Sequence, residues 1–321
     1  MQAVSFPGYG RAEIIEIPRP SLREPGDAIV LVTTAAIGPW DVERFLSVGA
    51  ERVVPGGEFA GIVVETGADV KSVALDDLVA NTVQHVSGAG HSDLFGSTTL
   101  PGGHAEYVRV PDADTTLNKI SASGEERAVL AGGTSGLGVN AAASALSVAS
   151  EDTYAVVGCD SIGMTSLIAL KQSGATARLI AVEDHLARRT LASTFASEAL
   201  SASEVVGHDQ VDVAIVGSIR EFAGFDIVTR LVKPEGTIIF SEPYGISRIT
   251  ELGIAVPEGL AITTGSWPTT DDARKIVTAM QIKRLDLTPL VSHVIPLDEA
   301  REAYEAAAGP GSGVQKVLLK P

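Results

Sequence analysis

The 321-residue chain has a single cysteine, Cys159, only 5% aromatic residues, and 24 lysines and arginines against 40 aspartates and glutamates. One thiol excludes an intrachain disulfide framework and every zinc site built from several cysteines. The shortage of positive charge leaves a formal net charge of -16, which repels nucleic acid and anionic membranes and favours solubility. That charge reads as a solvated acidic surface. No uncharged apolar run is long enough to cross a bilayer, and "MQAVSFPGYG" lacks a basic start, an apolar stretch and a small-residue cleavage site. A soluble, cytoplasmic protein without a secretory signal is expected.

What is present is an ordinary globular composition, 45% hydrophobic and 20% charged, at a length that favours two domains. The first third reads as β structure: "DAIVLVTTAAI", "FAGIVVETG", "DLVANTV" and "AEYVRVP" are short β-branched runs broken by Gly, Pro and Asp. From about Glu125, alanine-rich helical segments alternate with the apolar strands "TYAVVG", "RLIAVE", "VDVAIVG" and "GTIIFSE", which predicts a parallel sheet with right-handed crossovers. Thr270 is predicted to cap the helix "TTDDARKIVTAM", with Asp271 and Asp272 in its first turn. The Gly- and Ser-rich stretch from Val86 to Leu100 reads as a mobile loop.

"TYAVVGCDSIGMTSLIALKQSGATARLIAVE" has the order strand, glycine turn, helix, strand that gives a G-x-G-x-x-G fingerprint its meaning. The first glycine makes the turn, the second lets a pyrophosphate approach the backbone, and the third lets helix and strand pack closely. Gly158 and Gly163 fill the first and third positions, whereas Asp160 stands at the second. Its charge would oppose a pyrophosphate about 4 to 5 Å away by roughly 3 to 4 kcal/mol, unless the carboxylate swings into solvent. Glu183 closes the second strand, where it would accept from both ribose hydroxyls and favour NAD over NADP, while Arg188 and Arg189 leave room for NADP. A tight turn that binds nothing is the competing reading. Candidate cofactor positions are Thr134, Gly158, Asp160, Ile162, Gly163, Glu183, Arg188 and Gly217, and Cys159 reads as an inert buried thiol.

With "PGGEFAGIVVETGADVKSV", "GGHAEYVRVPDADTTLNKI", the fingerprint region, "LVKPEGTIIF" and "VIPLDEAREAYEAAAGPGSGVQKVLLKP" in this order, the chain resembles the medium-chain dehydrogenase/reductase superfamily along nearly its whole length. The resemblance implies an α/β fold: a Rossmann doubly wound parallel sheet, residues 122–286, and a GroES-like β-rich catalytic domain from residues 1–121 and 287–321, with the active site in the cleft. Zinc-dependent members carry a cysteine, a histidine followed by glutamate, and a further ligand. Here Gly38 stands at the cysteine, Trp40 at the proton-relay hydroxyl, Glu43 at a relay histidine and Gly57 at the ligand histidine. Only Glu58 is retained, the third ligand falls near "LAGGTSG" without a cysteine or acid, and the four-cysteine structural lobe is missing. No zinc is expected. His85, His91 and His104 lack the spacing of ligands on one helix face, and His104 reads as structural.

Without zinc, this fold most readily supports hydride transfer from a nicotinamide, NAD(H) in preference to NADP(H), to a conjugated C=C or carbonyl of a small-molecule substrate. In that reading Trp40 shapes the pocket, and Asp41 or Glu43 orients substrate or relays a proton. An ordinary exposed helix start at "PWDVERF" is the alternative for both acids. Tyr107 reads as a packed strand tyrosine. The alternative function is a degenerate relative without dehydrogenase activity, either a binding or assembly subunit or a redox-neutral catalyst; the departure at "LDDLVA" from the family's G-D-R-V also points that way. The segment "EGLAITTGSW" resembles the edge through which relatives pair, so a homodimer is expected.

Overall fold

A computed structural model describes residues 1–47, 53–81, 84–86, 92–120, 124–148, 153–174, 178–217, 225–243, 245–251, 256–309 and 313–321. The chain divides into two compact units, one made of residues 1–134, 268–281 and 291–321, the other of residues 135–267 and 282–290.

The N-terminal part carries β1 (Gln2–Gly8), β2 (Arg11–Glu16), β3 (Ala28–Ile37), α1 (Pro39–Phe45), β4 (Glu58–Thr66), β5 (Leu78–Asn81), β6 (Gln84–Val86) and β7 (Ser92–Leu94). It continues through β8 (Tyr107–Val110), α2 (Ala113–Thr116), β9 (Leu117–Lys119), α3 (Glu125–Ala128) and α4 (Gly133–Val148). Then follow β10 (Tyr154–Val157), α5 (Ser161–Gln172), β11 (Leu179–Val182), α6 (Leu186–Ala192), β12 (Glu198–Leu200), β13 (Val211–Val216), α7 (Phe225–Leu231), β14 (Val232–Phe240), α8 (Gly245–Glu251) and β15 (Ala261–Thr264). The chain ends with α9 (Thr270–Gln281), β16 (Val291–Pro296), α10 (Ala300–Ala308) and β17 (Lys316–Lys320).

In the first unit, β16-β17-β3-β4-β5-β9 form one sheet with β8 added to β3. The long strand β3 pairs antiparallel with β4, β8 and β17, so the C-terminal strand is stitched into the N-terminal sheet. Phe6, Phe45, Phe59, Leu117, Tyr304 and Leu319 are among the side chains that fill its core. The helix α9 starts one residue beyond its cap, which is Thr269 and not Thr270: Thr269 Oγ1 accepts the Asp272 N–H at 3.2 Å, and Asp272 Oδ2 accepts the Thr269 N–H at 2.9 Å. This reciprocal pair satisfies two donors, which a cap at Thr270 would leave open.

In the second unit the sheet order is β12-β11-β10-β13-β14-β15, with every pair parallel. Taken from β10, this is the 3-2-1-4-5-6 order of a doubly wound dinucleotide-binding sheet, whose order reverses between its first and fourth strands. The strands β10 and β11 are buried throughout, as "YAVV" and "LIAV" require in a parallel sheet covered on both faces.

Part of the stretch from Val86 to Leu100, expected as a loop, is ordered pairing: β6 and β7 form a two-stranded sheet in which His85 opposes Asp93. Residues 87–91, with His91, lie outside the described residues.

Candidate functional site

In the first unit, the segment "VPGGEF" threads between α1 and the "PGGH" turn. Gly56 has φ +108, and a Cβ on it would stand 2.5 Å from His104 N and from the imidazole Cδ2. The two segments are tied by backbone bonds from Gly102 N to Val54 O (2.8 Å), Gly103 N to Gly56 O (2.8 Å) and His104 N to Pro55 O (3.0 Å). These contacts account for the glycines: two backbones approach too closely for side chains.

Asp41 completes the same knot. Its Oδ2 accepts the Gly38 N–H at 2.9 Å and its Oδ1 accepts the Gly56 N–H at 2.9 Å. The carboxylate is buried, and it pins the start of α1 to the turn before β4. The reading of Asp41 as an exposed helix start is corrected: the carboxylate is buried and holds two fixed backbone partners. Trp40 is half-buried and Glu43 is exposed on α1.

Glu58 lies beside them, buried at the start of β4. Its Oε1 accepts the Thr134 N–H and the Thr134 hydroxyl, each at 2.8 Å. Its Oε2 pairs with the Lys316 ammonium, which is fully buried and also donates to Thr134 Oγ1 at 2.6 Å. A Cβ at Gly38 would stand 3.7 Å from Glu58 Oε1, so residue 38 faces this carboxylate. Thr134, taken from the sequence as a cofactor contact, is a partner of Glu58 inside the first unit. Lys316 is absent from the sequence-based candidates. Its only local signal is a lysine that opens the strand "KVLLK", whose first four residues are buried.

His104 is fully buried between Ala36 O, 3.2 Å from Nε2, and the Tyr304 hydroxyl, 2.7 Å from Nδ1. The carbonyl can only accept, so Nε2 carries the proton and Nδ1 accepts from the tyrosine. Burial holds the imidazole pKa below its ordinary value, against the opposing charges of Asp41 and Glu58. Burial also pushes the Tyr304 hydroxyl well above the usual tyrosine range. An imidazole that stays neutral in the fold but takes a proton near pH 6.5 once unfolded favours the unfolded state in acid. Its contribution is complete above about pH 6.5 and is lost as pH falls from there toward the folded-state pKa. We expect unfolding free energies measured between about pH 7 and pH 5.5 to fall with acidification, and His104→Gln to flatten that slope. An unchanged slope would contradict the buried neutral imidazole. Tyr107 packs on β8 with the Arg19 guanidinium 4.3 Å from its ring centre, as a strand tyrosine.

In the second unit, Gly158, Gly163 and Gly217 meet where the strand order reverses. A Cβ on Gly163 would lie 1.9 Å from Gly158 O, and one on Gly217 would lie 2.3 Å from the same oxygen. Gly158 itself turns with φ +81. Asp160, the N-cap of α5, accepts at Oδ1 from Ile162 N (3.2 Å) and Gly163 N (3.0 Å) and is only 8% exposed. Its carboxylate sits over Gly217, where a Cβ would meet Oδ1 at 3.1 Å. Glu183, buried at the end of β11, accepts from Cys159 N and His185 N, each at 2.8 Å, and pairs with Arg188 at 3.1 Å. Arg189 donates to the carbonyls of Glu183 (2.6 Å) and Asp184 (2.8 Å). Cys159 is fully buried, and burial, then the Glu183 and Asp160 charges, raises its thiol pKa well above the ordinary range, which keeps it unreactive. The structure thus groups Gly158, Asp160, Ile162, Gly163, Glu183, Arg188 and Gly217 in one unit, and Thr134 with Trp40, Asp41 and Glu43 in the other.

A family model described as the alcohol dehydrogenase GroES-like domain matches residues 24–121. The chain is similar to zinc-type alcohol dehydrogenase B from Aspergillus flavus, with 28% identity covering 100% of this chain and 81% of the relative. Among solved structures, alcohol dehydrogenase TADH from Thermus sp. ATN1 matches with a TM-score of 0.82 at 21% identity, covering 100% of this chain and 99% of the other. The alcohol dehydrogenase rspB from E. coli CFT073, complexed with cofactor NADH, matches with a TM-score of 0.81 at 20% identity, again covering 100% and 99%.

Proposed function

Because the chain belongs to the medium-chain dehydrogenase/reductase superfamily, we propose that it is a zinc-independent, nicotinamide-dependent oxidoreductase that reduces a conjugated C=C or carbonyl of a small molecule. The broader class, an oxidoreductase of the zinc-type alcohol dehydrogenase family, follows from the membership itself.

The observation that carries the finer reading is the use the fold makes of Glu58. A catalytic zinc needs three protein ligands and an open position. Gly38 and Gly57 bring no ligating side chain, and the Glu58 oxygens are held by Thr134 and the Lys316 ammonium. A dication placed here would meet the buried Lys316 ammonium. Zinc does not fit these residues.

A dinucleotide does fit the second unit. The turn at Gly158, with nothing within 4 Å of where a Cβ would stand, leaves open space before α5, and Glu183 closes β11 where a ribose is held in this strand order. Bound there, a nicotinamide supplies the hydride. Glu183 favours NAD(H), and Arg188 against its carboxylate lowers the barrier to a 2'-phosphate. In the first unit Asp41 ties Gly38 to Gly56 beside Trp40, and Trp40 is the side chain that shapes the substrate pocket in this reading. Exposed Glu43 is the group placed to exchange a proton with water. A homodimer through β15, the last strand of its sheet among the described residues, completes the reading, since a strand edge is a ready surface for a second copy.

The competing function, a subunit or redox-neutral catalyst without dehydrogenase activity, draws on Asp160 holding the amides at the start of α5. The two readings separate in one assay. Chelator-treated, metal-analysed protein is given NADH with a panel of enones and quinones, and loss of reduced-nicotinamide absorbance is followed. Turnover that survives chelation and weakens in Glu183→Ala is the expected result. Turnover only after added zinc, or none with any acceptor, would overturn the proposal.

A further inference from the structure

The amides that start α5 are the natural donors to a pyrophosphate in a sheet of this order, because they converge at the positive end of a 12-residue helix. In this chain Asp160 takes the N–H groups of Ile162 and Gly163 for itself. Its carboxylate is buried and lies over Gly217, on the crevice side of the strand-order reversal, and does not point into solvent. Two anions cannot share two donors within a few ångströms in a partly buried site. We infer that Asp160 is a built-in competitor of the dinucleotide pyrophosphate, and sets a weak, rapidly exchanging cofactor affinity.

This inference rests on the nicotinamide reading and adds to it a specificity-determining residue. A dinucleotide enters only when the carboxylate releases both amides. A ligand that reaches the Glu183 end of the crevice without a phosphate meets no such competition. The Asp160 charge thus discriminates by phosphate, while Glu183 acts on the ribose.

Two variants separate charge from capping. Asp160→Asn keeps a good N-cap and removes the charge, and Asp160→Gly removes both while leaving a residue that helix starts tolerate. Both are therefore expected to fold, which thermal melts check. Calorimetric titration with NADH is expected to give affinities that rise from wild type to Asp160→Asn to Asp160→Gly, by tenfold or more overall. Adenosine binding, followed by saturation-transfer NMR, is expected to be the same in all three proteins. Equal NADH affinity in the three proteins would overturn the inference while leaving the nicotinamide reading intact. Binding of NADH to Asp160→Gly alone would support the inference and remove the nicotinamide reading for the natural chain. Absence of both ligands from all three proteins would overturn both.

Discussion

Replacing Lys316 with methionine is expected to lower the unfolding free energy by about 3–5 kcal/mol, the cost of removing one partner from a buried ion pair. Lys316 is fully buried, and its ammonium faces Glu58 and the Thr134 hydroxyl. With the cation gone, the Glu58 carboxylate keeps the two Thr134 donors at Oε1 but loses the partner at Oε2. Buried at the start of β4, it has little water to replace the lysine. The double variant Lys316→Met with Glu58→Leu removes both charges, and is expected to recover much of the loss because no lone ion remains. Urea denaturation of the single and double variants reads the difference directly. A single variant as stable as the natural chain would mean that Glu58 finds another partner, and the argument against zinc at this carboxylate would fail with it.

Gly163→Ala is the second substitution with a large expected effect. The added methyl would stand 1.9 Å from Gly158 O, a backbone atom fixed by the bond from Gly158 N to Val182 O at 2.9 Å. Neither side can yield without moving α5 away from β10 or distorting the turn. Overpacking of this kind costs about 1–3 kcal/mol, occasionally more. Since the distortion falls on the amides that would receive a pyrophosphate, NADH binding is expected to be lost together with stability. Thermal melts and NADH titration of the same preparation check both effects. Unchanged NADH affinity would place the dinucleotide elsewhere.

The second unit was legible because its signals are local. Runs such as "YAVV" and "LIAV" carry burial on both faces in their composition, and Gly158, Gly163 and Glu183 sit at fixed offsets from those strands. The first unit was legible as β structure, from its short β-branched runs broken by Gly, Pro and Asp. What its remaining residues do was not readable, because their partners are far away in sequence. Glu58 meets Lys316 across the whole chain, His104 meets Tyr304, and Asp41 serves both Gly38 and Gly56. Each pairing depends on β3 lying between β4 and β17, a register that no local pattern encodes. Asp160 is the intermediate case: its chemistry was evident from the fingerprint, but its direction is a side-chain torsion that the fold decides by offering two free amides.

The most direct test of zinc-independent hydride transfer is to give chelator-treated protein NADH deuterated at the transferable position together with a conjugated enone or quinone, and to weigh the product. A product enriched by one deuteron, formed at the same rate before and after chelation, is expected. Unlabelled product, product formed only after zinc is restored, or no product from any acceptor would contradict it.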